Sequence, residues 1–103
     1  MTTEEQKKFF TLGSYQERLD KVCDEHDSKM SHWDEKSQTK TESEKRMWEE
    51  GKIMIREHRK EAQRSIHHMT GIAVEDWDAR HDDFEAKFAE VVGAYHQATS
   101  KIR

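Results

Sequence analysis

Seven histidines stand among 22 acidic residues, so metal binding is the first chemistry to consider. Ferritin-like di-iron sites take Glu-x-x-His from two helices. No histidine here has Glu three residues before it, and no His-x-x-x-His pair occurs. A single cysteine, Cys23, excludes both a Cys-x-x-Cys zinc motif and an intramolecular disulfide. The best remaining cluster is Asp78, His81 and Glu85, spaced to share one helix face. Glu57, His58 or Glu61 could join it from a neighbouring helix. The plainer reading makes His58 and His81 semi-buried helix residues beside carboxylates. No metal is favoured, and no cofactor is expected.

Catalytic patterns are weak. So many acids make any one carboxylate pair uninformative. Cys23 and His26 lie three residues apart with no third group to orient them. There is no glycine-rich phosphate loop and no nucleophile elbow. No catalytic residue is assigned. For partner binding, Phe9, Phe10, Trp33 and Trp48 are the apolar residues singled out. Met and Trp at helical spacing form core more often than a ligand pocket.

The elements that must position these residues are helices. The chain has 103 residues, no proline and four glycines, which suits long uninterrupted helices. Only 15 residues are Leu, Ile, Val or Phe, a proportion at which disorder competes with folding. The charge balance of −4 is too small to support disorder, and the apolar residues recur regularly. The core is expected to be thin for the length.

Three stripes step by three or four residues. The first runs Leu12, Tyr15, Leu19, Val22, His26, Met30, Trp33. The second runs Met47/Trp48, Gly51, Met54/Ile55, His58, Ala62, Ile66, Met69, and the third from Val74 through Trp77, His81, Phe84, Phe88, Val91 and Tyr95 to Ile102. Ser14 to Glu17 and Thr41 to Glu44 both fit capping boxes. Gly71 suits the left-handed position after a helix.

The expected fold is all-α, an antiparallel three-helix bundle. Residues 1–13 form a leader, a short helix or a flexible segment, and 14–103 the bundle domain, with helices over about 14–38, 42–70 and 73–102. No Gly, Pro or Asn marks residues 37–41. The alternative is therefore one long helix plus a returning helix, completed by dimerisation. Folding about residues 71 and 72 would set Ile66 by Trp77, Ala62 by His81, Ile55 by Phe88 and Trp48 by Tyr95. It would also lay a basic segment, Lys52–Arg64, on an acidic one, Glu75–Glu90. That neutralisation and the net acidity argue against a nucleic-acid partner.

No apolar run reaches membrane-spanning length, and no signal-peptide pattern precedes Phe9. A cytoplasmic location is expected, although a secreted chain stripped of its signal would have the same composition. These features describe a non-enzymatic interaction module, an adaptor, inhibitor or assembly subunit, that self-associates to cover its thin core. The alternative is a helical carrier of a metal, haem or lipid, bound through the His, Met and Trp stripe. Buried His58 would stay neutral when folded, so stability would weaken in mild acid. Asp78, Glu57 and Glu85 push the other way, and His81 is left open.

Overall fold

The computed structural model describes the backbone of residues 3–103 and the side chains of residues 11–73 and 75–103. It is a three-helix bundle of 57 × 21 × 15 Å, with no strand among the described residues. Helix α1 spans Thr3–Ser37 and α2 spans Glu42–Thr70. A 3-10 turn at Val74–Asp76 leads into α3, Trp77–Ser100. Among the described residues, no helix is long and apolar enough to cross a membrane.

The segment 38–41 is a loop. Ser37, Thr39 and short backbone bonds satisfy the end of α1 without a glycine: the Ser37 hydroxyl donates to Asp34 O at 2.7 Å and Thr39 Oγ1 to Lys36 O at 2.8 Å. Thr41 then caps α2, its Oγ1 accepting from the Glu44 amide at 3.1 Å. The box is altered on its return side. The Thr41 hydroxyl donates to the Glu44 carboxylate at 3.0 Å, rather than the carboxylate reaching the cap amide. Thr41→Ala is expected to lower stability by about 1 kcal/mol, read from the urea midpoint.

Two expectations about the helix ends are corrected. The leader is not separate, because α1 passes straight through Gly13, and Ser14 is an exposed residue inside the helix rather than its cap. A mid-helix glycine costs about 1 kcal/mol. Leu12 packs on the core just before it and Tyr15 is buried just after it, so packing carries the helix across. Gly71 closes α2 at φ −100°, with its amide bonded to His68 O at 3.3 Å, and is not left-handed.

The core falls into two clusters. Near the α2–α3 turn, Tyr15 and Leu19 of α1 meet Ala62, Ile66 and Met69 of α2 and Trp77, Phe84 and Val91 of α3. Toward the other end, Trp48 and Ile55 meet Ala94, Tyr95, Ala98 and Ile102, with Met30 and Trp33 packed alongside. Trp77 is buried as its stripe position implied, whereas Phe88 is only half-buried.

The α2–α3 register is displaced from the expected one. Gly51 abuts Ala98, His58 reaches Glu90 at 3.4 Å, and the Ser65 hydroxyl donates to Asp83 at 2.7 Å. These pairs straddle residues 74 and 75, because Gly71 through Asp76 are spent on the connection and its 3-10 turn. Ile66 and Trp77 still share a cluster, as do Trp48 and Tyr95. Ile55 and Phe88 belong to different clusters, and His81 leaves Ala62 for the α1 side.

Candidate interaction surface

The basic residues of α2 find different partners from those expected. Arg59 donates to Asp27 of α1 at 2.9 Å, and Lys52 to Asp34 of α1 at 3.0 Å. Lys52 also meets Glu49, Lys60 meets Glu57 and Arg64 meets Glu61, each three residues away. Two acids of α3 have other partners. Glu85 holds Arg18 of α1 through two bonds, 2.6 and 3.1 Å, and Glu90 lies beside His58. The basic segment is therefore neutralised largely by α1 and by α2 itself.

The candidate metal residues do not converge as a donor set. Asp78 is exposed. His81 Nδ1 hydrogen-bonds the Tyr15 hydroxyl, and its Nε2 lies 4.0 Å from Glu85. The Arg18 hydrogen bond holds the Glu85 carboxyl below its usual range, overcoming the opposing effect of burial. A guanidinium there competes directly with a cation. Among the described residues, no group of three or more His, Cys, Asp or Glu is placed to hold a metal ion.

Of the apolar residues singled out for partner binding, Trp48 is core. It is 0% exposed, and its indole Nε1 donates to Asp34 Oδ1 at 2.7 Å. Burial pushes the Asp34 carboxyl up, but the bonds from Trp48 and Lys52 outweigh it and bring the pKa down. Trp33 is half-buried, with Nε1 donating to the Tyr95 hydroxyl at 3.1 Å. The cations of Lys36 and Arg103 lie over its ring at 5.0 and 5.9 Å. Phe9 and Phe10 lie on the backbone of α1, with their side chains outside the described residues.

Two of the three exposed large hydrophobics, Met47 and Met54, were hidden inside the second stripe. Trp48 and Ile55 take the inward positions, one heptad apart. Met47 and Met54, at the same spacing and one residue earlier, turn outward. Met47 is 38% exposed, Met54 51% and Ile53 54%, all within eight residues of α2. For Met47 and Met54 the signal in the sequence was the doubled stripe itself, since a helix packed from two sides cannot bury both members of each pair; Ile53 lies outside the stripe.

Beside Met54 the small residues Gly51, Ala94 and Ala98 line a notch of about 140 Å³ between α2 and α3. A Cβ on Gly51 would come within 2.6 Å of Ala98 Cβ, so glycine is what permits this approach. Glu50, His58 and Lys101 stand around the notch. The result is an apolar edge with a shallow recess and charges of both signs. Compared with family models, curated proteins and solved structures, the chain matches none.

Proposed function

We propose that this chain is a non-enzymatic interaction module that self-associates through the outer edge of α2. The observation that carries this reading is the concentration of exposed Met47, Ile53 and Met54 in one short stretch of a chain that is 39% charged. Side chains of this size lose favourable free energy in water at roughly 25 cal/mol per Å². A second copy is the occupant because the centre of the edge, Glu50 to His58, is complementary to itself. An antiparallel two-fold axis through Met54 sets Met54 against its counterpart. The same axis places Glu50 of each copy opposite His58 of the other, pairing a carboxylate with a titratable base.

The apolar stretch from Met47 to Met54 spans about 12 Å of α2, and the charged residues on either side of it complete the contact. Met54 and Met47, being unbranched, adapt to such a surface.

Sedimentation equilibrium tests the proposal. The parent is expected to show concentration-dependent dimerisation, and Met54→Glu to weaken it at least about tenfold, or ~1.4 kcal/mol. Met54 is exposed, so the variant keeps its helix content. A parent that stays monomeric at high concentration, or a Met54→Glu dimer of undiminished affinity, defeats the proposal.

A further inference from the structure

His26 occupies an unusual place. It is 6% exposed, and its ring stacks on Tyr95 of α3 with centroids 3.9 Å apart and planes 7° from parallel. Its Nδ1 is buried with no hydrogen-bond partner. The stack continues into a second joint between the same helices, where Trp33 donates to the Tyr95 hydroxyl. Tyr95 is thus held by two residues of α1, seven apart and on one face of that helix. Outside these contacts, α1 meets α3 mainly near the turn, through Tyr15 on Phe84 and Arg18 on Glu85.

The groups facing His26 come from all three helices. Arg59 approaches from α2, and its own Nε is also buried without a partner. The charges of His96 on α3 and of Lys29 and Glu25 on α1 also act on it. Asp27 of α1 is occupied by Arg59 at 2.9 Å. Of these neighbours, Arg59, His96 and Lys29 disfavour a proton on His26, and only Glu25 favours one.

We propose that the His26–Tyr95 stack is an acid-sensitive latch that holds the loop-proximal half of α1 against α3. A proton on His26 puts a positive charge into a buried site already facing Arg59. Its Nδ1 has no acceptor there, and water is its best relief. His26 rides on α1, and α1 ends at the loop 38–41, so the small motion that exposes His26 is a tilt of α1 away from Tyr95. That tilt keeps both helices intact. Burial, then Arg59, holds the His26 pKa below its usual value. The latched state binds fewer protons at His26 than the open or unfolded state, so it gains stability as pH rises. The latch is complete above about pH 6.5 and weakens as pH falls from there through the folded value. This inference does not depend on self-association through α2.

The test is a pair of spin labels on exposed positions, Ser31→Cys in α1 and Ser100→Cys in α3, in a Cys23→Ala background. Electron–electron distance distributions are recorded from pH 7.5 to 5, with helix content followed by circular dichroism. A second, longer-distance population is expected at acid pH with helix content unchanged. His26→Phe keeps a ring on Tyr95 without a titrating group, and is expected to hold the short distance throughout. If His26→Phe packs poorly, His26→Gln gives the same answer, because it also carries no charge. An unchanged distance in the parent overturns the latch. So do an equal shift in the variants, loss of helix over the same pH range, and a His26 imidazole titrating at or above pH 6.5 by NMR.

Discussion

Trp48→Ala is expected to lower the free energy of unfolding by about 3–5 kcal/mol, the largest effect of any single truncation in the loop-proximal half of the bundle. Trp48 is 0% exposed and is the largest of the fully buried side chains. Removing the indole leaves a cavity among Ile55, Tyr95, Ala98 and Ile102, on backbones already brought close by Gly51 and Ala98. It also strips Asp34 of one of two donors. Asp34 is partly exposed, so water replaces that donor at modest cost, and the cavity dominates. Trp48→Phe separates the two contributions. It keeps most of the ring, loses the hydrogen bond, and is expected to cost about 1–2 kcal/mol. Urea unfolding monitored by circular dichroism measures both. A Trp48→Ala loss below about 1 kcal/mol would put Trp48 outside the core and return it to the surface residues available for partner binding.

At the other end, Phe84→Ala is expected to cost a similar 3–5 kcal/mol. Phe84 is 0% exposed, with the Tyr15 ring 4.4 Å from its own and Phe88 at 5.8 Å. The Arg18 guanidinium sits 5.6 Å above it while bonded to Glu85. Phe84 is therefore where α1 rests on α3 near the turn. Its truncation should do more than lower the urea midpoint. Amide protection in α1 from Tyr15 to Val22 should fall before protection in α2. Phe84→Leu conserves most of the volume and is expected to cost under about 1.5 kcal/mol. A uniform loss of protection across all three helices would mean that α1 is not held locally by this contact. Domains of this size are stable by only about 5–15 kcal/mol, so either alanine variant removes a large share of the margin.

His26, the proposed latch, was visible in the sequence only as a member of a stripe. His58, at a stripe position, is the histidine that the periodicity marks for burial. In the fold it is half-buried at the edge of the notch, 3.4 Å from Glu90. His26 had the same stripe credentials, but its burial depends on Tyr95, 69 positions away. The Met54 surface was obscured in a related way. Its spacing matches that of Ile55, and composition cannot say which of two adjacent apolar residues faces inward.

By itself the sequence determined three helices, the cap at Thr41, the span of α2 and the membership of most of the core. These follow from local rules. A 3.6-residue period, a side chain bonding an amide three residues on, and the absence of proline all act within a few turns of chain. Only the tertiary structure decided the α2–α3 register, the partners of Arg59 and Lys52, the burial of His26 and the exposure of Met54. A helical stripe looks the same when its helix slides along its neighbour, so periodicity carries no information about register. The turn sets that, and here the chain from Gly71 to Asp76 moves the pairing axis to residues 74 and 75. The passage of α1 through Gly13 was decided at the same level. There the packing of Leu12 and Tyr15 outweighs about 1 kcal/mol of unfavourable propensity, a competition between a local preference and contacts made by residues far along the chain.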